Sequence, residues 1–393
     1  MPNSPQNATK SNVLHAVNGY QDVIDSKQSL EKDGSDFTEN KWGVANTIAK
    51  LHPKRLQLKV VEIIQDTPTT KTLRFESMSQ ELPPFQAGQY INLFVNIKGV
   101  ETARPYAISS APQTRGHYDL TIKRVEPGYV THYLLDDVKV GDTFSSTSPM
   151  GSFYYNPLFH GNDLVFLAGG SGIAPALSII NDIATRDGDF KFHLVYASSY
   201  ENDVIFDEEL KELDEKYDFL TISKVISRPT KEYKGLTGHL NAKFLTQLLG
   251  KMTDKMYYIC GPTSFHNFCE DQLASLNVKS RRVRIECNGP PKNPENIQGW
   301  PAGLIASDEI TVTIKGKGSF KARVDEPLLN SMERNGYTTE NACRSGECSL
   351  CRVKILKGSV LNPPEAHLRE TDEEYGWTHS CVAFPVEDIE IVI

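Results

Sequence analysis

Three of the chain's seven cysteines stand within nine positions, in "NACRSGECSLC" at 341–351, and a fourth follows in "THSCVAF". Cys343, Cys348, Cys351 and Cys381 are spaced C-x4-C-x2-C-x29-C. At these intervals a tight loop can wrap three thiolates around one face of a [2Fe–2S] cluster while a distant segment brings the fourth. Small or polar residues fill the loop where backbone N–H groups must turn toward sulfur: Ala342, Ser345, Gly346 and Ser349. A zinc site would favour paired C-x2-C units, and a chain without an export signal seldom keeps disulfides. Cys260, Cys269 and Cys287 lie far away in sequence and need separate explanations.

A cluster loop needs a rigid frame. "EITVTIKG" alternates apolar and polar residues as a strand does, "EPLLNSMERNG" reads as a short helix ending at Gly336, and "CRVKILKG" and "EDIEIVI" are further strands. With the cysteine spacing, this segment resembles the plant-type ferredoxins. The resemblance implies a β-grasp domain over 306–393.

Ahead of it, "RLQLKVVEIIQDTPTTKTLRFE", "FQAGQYINLFV", "HYDLTIKRVE" and "GDTFSSTSPMGSF" are short alternating runs separated by Gly, Pro and Asp, the pattern of an antiparallel barrel. "ARPYAISS" at 103–110, followed by "EPGYVTHYLL" at 126–135, makes the chain resemble the ferredoxin-reductase flavoproteins. The resemblance assigns Arg104 to the flavin phosphate through its planar fork and Tyr106 to the flavin ring as a flat platform with a polar tip. Pro105 and Ala107 flank them. Ala107 stands where the family usually has Ser, so a hydroxyl near the flavin must come from elsewhere, with Ser109 the candidate, or be absent. Gly128, Val130 and Thr131 match the family's turn into a helix at the pyrophosphate. Gly151 and Ser152 close the barrel's share of the cofactor site. FAD is favoured over FMN.

"DLVFLAGGSGIAPALSIINDI" is an apolar strand, a glycine-rich turn and an amphipathic helix, an arrangement that sets a pyrophosphate on a helix N-terminus. Gly169, Gly170, Ser171 and Gly172, then Ile173-Ala174-Pro175, resemble the reductase family's own turn. "FKFHLVYASS", "FLTISKVIS" and "KMYYICGP" continue a doubly wound α/β pattern. "CGPTSF" places Cys260, Gly261 and Pro262 where the family brings a thiol to the nicotinamide, which makes Cys260, with Tyr106 and Ser109, a candidate for the reacting centre. Cys269 and Cys287 read as packing residues, and Phe265, often Met in relatives, as a packing change. In "YASSYENDVIF", Ser199 occupies the position at which NADPH-preferring relatives carry Arg. Glu201 nearby would repel a 2′-phosphate and accept a ribose hydroxyl. NADH is expected over NADPH, with Arg228 in "ISRP" as the residue that could reverse the preference.

The expected organisation is an N-terminal extension at 1–55, a flavin barrel at 56–157, a nicotinamide domain at 158–290, a linker at 291–305 and the ferredoxin at 306–393. The extension contains two possible helices, in "NVLHAVNGYQDVIDSKQSLEKDG" and "ENKWGVANTIAKLH", with Trp42, Val44 and Ile48 as docking residues. The linker "CNGPPKNPENIQGWPAG" reads as a semi-extended connector of restricted reach. A formal charge of −8 with interspersed signs excludes the extended basic surface that nucleic acid needs, and the longest apolar stretch is broken by glycines and a proline. We expect a cytoplasmic protein with no membrane span; its oligomeric state is left open.

The order of the parts states a reaction. A nicotinamide gives up two electrons as one hydride, a [2Fe–2S] cluster accepts one at a time, and a flavin can do both. The resemblance to single-chain oxygenase reductases implies that electrons leave for a separate protein, such as an oxygenase component. A metalloenzyme needing reductive activation, a small molecule reduced at the flavin, and a redox sensor are the alternatives.

Overall fold

The computed structural model describes residues 19–33, 46–48, 53–79, 81–126, 128–287, 289–291 and 293–393. They fall into two units, 1–53 and 54–393. In the first, Tyr20–Asp33 is a helix with mostly exposed side chains. Ile48 is exposed, and Trp42 and Val44 lie outside the described residues.

The second unit begins with six antiparallel strands: β1 (Leu56–Thr67), β2 (Thr70–Ser77), β3 (Tyr90–Ile97), β4 (Val100–Ala107), β5 (Tyr118–Lys123) and β6 (Thr143–Ser146), ordered β4-β3-β6-β1-β2-β5. A bridge between Ile108 and Leu120 joins the end of β4 to β5 and closes the sheet into a barrel. The strand period of two produces the core: Leu56, Leu58 and Val60 point inward while Gln57 and Lys59 are exposed.

Next come β7 (Asp163–Gly169), β8 (Lys191–Ser198), β9 (Leu220–Ile226), β10 (Leu236–Thr237), β11 (Met256–Gly261) and β12 (Val283–Cys287), all parallel and ordered β10-β9-β8-β7-β11-β12. Helices Ile173–Ile183, Asp207–Lys216, Ala242–Leu249 and Thr263–Ser275 follow β7, β8, β10 and β11. The apolar side chains form two cores, one centred on Phe166, Leu194 and Tyr258, the other on Leu167, Val195 and Ile259. The chain winds outward from β7 in one direction and then from β11 in the other, so the topological switch lies between those strands. That is where such sheets bind ligands.

The last part contains β13 (Glu309–Ile314), β14 (Gly318–Arg323), β15 (Arg352–Lys357), β16 (Val360–Leu361), β17 (Trp377–His379), β18 (Phe384–Pro385) and β19 (Ile389–Val392). Five of them form a sheet ordered β14-β13-β19-β15-β17 over helix Leu328–Arg334, which is a β-grasp arrangement; β16 and β18 pair separately. Gly336, at φ 78°, lets the chain turn away from that helix. The connector before β13 is laid down on the domain: the Trp300 indole N–H donates to the Leu304 carbonyl at 3.0 Å, and both residues pack on the core around Val312 and Ile314.

Candidate electron-transfer site

The cysteine loop leaves β-grasp regularity through a run of unusual backbone. Arg344 and Ser349 adopt φ of 54° and 58°, and Gly346 adopts 84°. The result is a loop whose amides turn inward, with Ser345 and Cys348 N–H groups donating to Cys343 Sγ at 3.4 and 3.3 Å. Cys381 enters from the segment after β17, where Ser380 anchors to the Cys351 carbonyl through its N–H at 3.1 Å and its hydroxyl at 2.7 Å. Cys348 and Cys381, with Ser345, hold the Cys343 thiol far below the ordinary range, and Cys381 does the same more mildly for Cys351. Among the described residues no three His, Cys, Asp or Glu side chains converge on a point for a single metal ion. The sulfurs instead form one connected group, Cys343 meeting both Cys348 and Cys381, and Cys381 meeting Cys351. Four thiols so gathered, with amides already aimed at sulfur, fit a two-iron cluster.

On the barrel, Arg104 and Tyr106 share one face of β4. Tyr106 is half-buried against the barrel core, and its hydroxyl is buried without a partner, so a flat group with a polar edge would complete it. Arg104 Nη1 donates to Thr102 Oγ1 at 2.8 Å and to the Ala103 carbonyl at 2.7 Å, and it stands 3.8 Å from Glu333 in the ferredoxin domain. Burial, then the like charge of Arg344, pulls the guanidinium down to about 10. Pro105 and Ala107 face Asn92 and Tyr90 across the β3–β4 ladder. Ser109 lies elsewhere in its chemistry: its hydroxyl donates to the Asp119 carbonyl at 3.1 Å and accepts from Thr121 Oγ1 at 3.1 Å, inside the barrel. Gly128 precedes helix Val130–His132, and Thr131 lies within it, its Oγ1 accepting from Val125 N–H at 3.4 Å. A Cβ on Gly151 would stand 2.8 Å from the Tyr90 ring, so this glycine makes room for an aromatic that sequence reasoning overlooked. Ser152 is anchored beside it, its carbonyl accepting from Arg284 at 2.8 Å.

On the nicotinamide sheet, β7 ends in a single 3-10 turn, Gly170–Gly172, and helix Ile173–Ile183 starts without a side-chain cap. The turn runs straight into the helix, the Ile173 N–H donating to the Gly170 and Ser171 carbonyls, so the glycine-rich turn itself is the helical N-terminus presented to a ligand. The Phe265 ring lies across Gly169 and Gly261, where Cβ atoms would come within 2.9 and 2.7 Å of it. Pro262 caps helix Thr263–Ser275. Cys260 is buried, opposite Ala168 on one side and Glu286 on the other. Cys269 is wholly buried, and burial pushes its thiol up to about 12, as an inert packing residue requires. The coenzyme end is more constrained than the sequence suggests. Ser199 carbonyl accepts from Arg228 N–H at 2.9 Å, and Arg228 Nη1 donates to Tyr200 OH at 3.2 Å. Glu201 is held by Thr230 through its N–H at 2.7 Å and its hydroxyl at 2.9 Å.

Comparison with known proteins agrees with this geometry. Residues 56–155 match the oxidoreductase FAD-binding domain family, 166–271 the oxidoreductase NAD-binding domain family and 312–386 the 2Fe-2S iron–sulfur cluster binding domain family. The chain is an iron–sulfur flavoprotein reductase, with the three domains in ferredoxin-reductase-like order. The reductase is 29% identical over 352 residues to the ferredoxin reductase component of 3-ketosteroid-9-alpha-monooxygenase from Mycobacterium tuberculosis, covering 85% of this chain and 94% of that one. It is 26% identical over 347 residues to the glycine betaine monooxygenase reductase subunit of Pseudomonas aeruginosa, again covering 85% and 94%. Its fold matches the solved structure of phthalate dioxygenase reductase with a TM-score of 0.65 at 22% identity, covering 86% of this chain and 97% of the other.

The three domains of the reductase meet around a cavity of about 310 Å³, lined by Ser152 and Phe153 of the barrel, Arg284 and Ile285 of β12, and Glu347 and His367 of the ferredoxin domain. Burial, followed by the charges of Cys343, Glu286 and Cys348, drives the Tyr90 phenol upward, which puts the barrel, the last nicotinamide strand and the cluster loop within electrostatic reach of one another. Glu286 stands at this junction, and burial with Glu347 and Cys343 nearby pushes its carboxyl up to about 8. No spacing rule marks Glu286, Tyr90 or Thr102. An arginine inside a cluster loop was the one visible signal, because a cation beside thiolates asks for an explanation.

Proposed function

We propose that the reductase takes hydride from NADH and delivers single electrons through its ferredoxin domain to a separate oxygenase component. Arg104 would hold the phosphate of FAD, the Tyr106 ring would support its flat face, and Gly151 and Ser152 would line its edge. The Gly169–Gly172 turn and the N-terminus of helix Ile173–Ile183 would hold the NADH pyrophosphate, and Cys260 would lie against the nicotinamide. Bound FAD accepts two electrons together and releases them one at a time, which lets a hydride donor serve a [2Fe–2S] cluster. Cys343, Cys348, Cys351 and Cys381 would hold that cluster.

The observation that carries this reading is the two-sidedness of the cluster loop. Arg344 is buried against Thr102 of the barrel, whereas Leu350, between Cys348 and Cys351, is 46% exposed. Electrons can enter on one side and leave on the other. Relatives that are reductase components of monooxygenases support an oxygenase as acceptor. The ferredoxin domain carries fifteen acidic and ten basic residues, a net charge of −5, so a basic acceptor surface would be steered toward it at a rate that falls with salt. Thiolates and NADH both belong to the cytoplasm, where we place the protein.

We favour NADH over NADPH because Ser199 supplies no guanidinium. The preference is narrower than Glu201 alone would make it, since Thr230 ties one oxygen of that carboxylate and Arg228 stands beside Ser199. A higher kcat/KM for NADH, with the gap narrowed by Ser199→Arg, is the expected result. For the acceptor, the anaerobically NADH-reduced chain should support turnover of a cognate oxygenase. Steady reduction of a small molecule with no protein acceptor would sink this reading.

A further inference from the structure

A buried polar knot joins the cluster loop to the barrel, and neither the cysteine spacing nor the flavin motif accounts for it. Thr102, on β4, is 3% exposed. Its hydroxyl uses its full hydrogen-bonding capacity: it donates to Glu333 Oε2 at 2.9 Å and accepts from Arg344 Nη2 at 3.1 Å and Arg104 Nη1 at 2.8 Å. Glu333, at the end of helix Leu328–Arg334, and Arg344, next to Cys343, form an ion pair whose side chains are only 4% and 6% exposed. Arg344 Nη1 also donates to Asn330 Oδ1 at 3.0 Å.

Two charges withdrawn from water at this depth need hydrogen bonds that replace the lost water. The first Glu333 oxygen is served inside its own domain by Arg344. The second is served by Thr102, with Arg104 at 3.8 Å, and both belong to the barrel. The barrel thus supplies the partners that replace the water docking removes from this carboxylate, leaving Arg344 Nε as the buried donor of the pair without one. The groups tied together are the neighbour of a cluster cysteine and the arginine assigned to the flavin phosphate.

We infer that Thr102, Glu333 and Arg344 are positioning residues that latch the ferredoxin domain to the flavin barrel and fix the cluster at its electron-accepting distance. Transfer within the chain then needs no swinging of the ferredoxin domain, and the exposed end of the loop stays available to the acceptor. The latch rests on the reading that Arg104 holds flavin and the four cysteines hold the cluster.

Thr102→Val keeps the shape and removes the hydroxyl, Thr102→Ser keeps the hydroxyl, and Glu333→Gln breaks the knot from the ferredoxin side. The holoprotein is mixed anaerobically with NADH in stopped flow, and hydrogen exchange is followed over 326–346. In Thr102→Val and Glu333→Gln we expect unchanged flavin reduction and unchanged flavin and iron content. Cluster reduction should slow and exchange over the helix should accelerate, each by about tenfold, the equivalent of one charge-assisted hydrogen bond. Thr102→Ser should restore both. Unaltered cluster reduction, unaltered exchange, or failure of the serine to restore them would overturn the latch. So would flavin reduction slowing in step with cluster reduction, which would assign these residues to flavin binding or folding. Wild-type protein lacking flavin or iron would instead remove the reading beneath it.

Discussion

Gly172 lies so close to Cys260 that a β-carbon at 172 would stand 2.0 Å from the Cys260 carbonyl oxygen. The nucleotide turn and the strand carrying the thiol therefore meet backbone to backbone. That contact sets how near a nicotinamide can come to Cys260. Gly172→Ala must push β11 or the helix start aside, and we expect a loss of about 1–3 kcal/mol in stability together with a raised KM for NADH. Gly170→Ala is the control: its Cβ meets only Lys123 Cδ, at 3.9 Å, so it carries only the strain of a φ of 55°. Thermal unfolding and NADH kinetics on both variants check this, and an equal loss of stability in Gly170→Ala would refute the contact argument.

Asp203 joins the nicotinamide domain to the barrel, accepting from Thr67 at 2.8 Å and Thr69 at 2.6 Å and pairing with Lys123. Burial raises its pKa, but hydrogen bonds from Lys123, Thr69 and Thr67 outweigh burial and hold it below the usual carboxylate range. A depressed carboxylate stabilises the fold above its unfolded pKa and loses that contribution as pH falls through the folded value. Asp203→Asn should cost about 1–3 kcal/mol at neutral pH and flatten the acid limb of stability. Urea titrations at pH 7 and near pH 3 would show the difference shrinking with acid.

Glu286 has the opposite sign. Its folded pKa is pushed up to about 8 from 4.5, so at neutral pH the folded protein holds a proton that the unfolded chain has released. Its favourable contribution is complete below about 4.5 and is lost as pH rises through about 8. Glu286→Gln copies the neutral acid, so it should match wild type only near pH 4, already be the more stable protein at pH 6, and exceed wild type by most at pH 9. A wild-type stability curve that rises between those pH values would contradict the assignment.

The cluster and flavin functions should separate in Cys348→Ser. Cys348 is only half-buried, so the exchange is a small packing change. Iron content should fall while flavin is retained. NADH-to-ferricyanide activity should persist, since that dye can draw electrons from flavin, while transfer to a protein acceptor is abolished. Equal transfer by the variant would place the exit at the flavin.

The local chemistry was legible before any fold. A two-iron loop needs thiolates at short fixed intervals, and a pyrophosphate turn needs small residues between a strand and a helix. Cys343, Cys348, Cys351 and the Gly169–Gly172 run therefore declare themselves in a few residues each. Alternation of apolar residues likewise marked the barrel and β-grasp strands, because one buried face imposes a period of two. Side-chain commitments were not legible. The sequence does not show that the Ser109 hydroxyl is engaged by Asp119 and Thr121, or that one Glu201 oxygen is held by Thr230. The contacts that join the domains lie furthest from any sequence rule: Thr102 meets Glu333 across 231 residues and Arg344 across 242. A hydrogen bond between distant segments depends on how two separately folded surfaces come together, and neither segment's own periodicity or spacing carries that information.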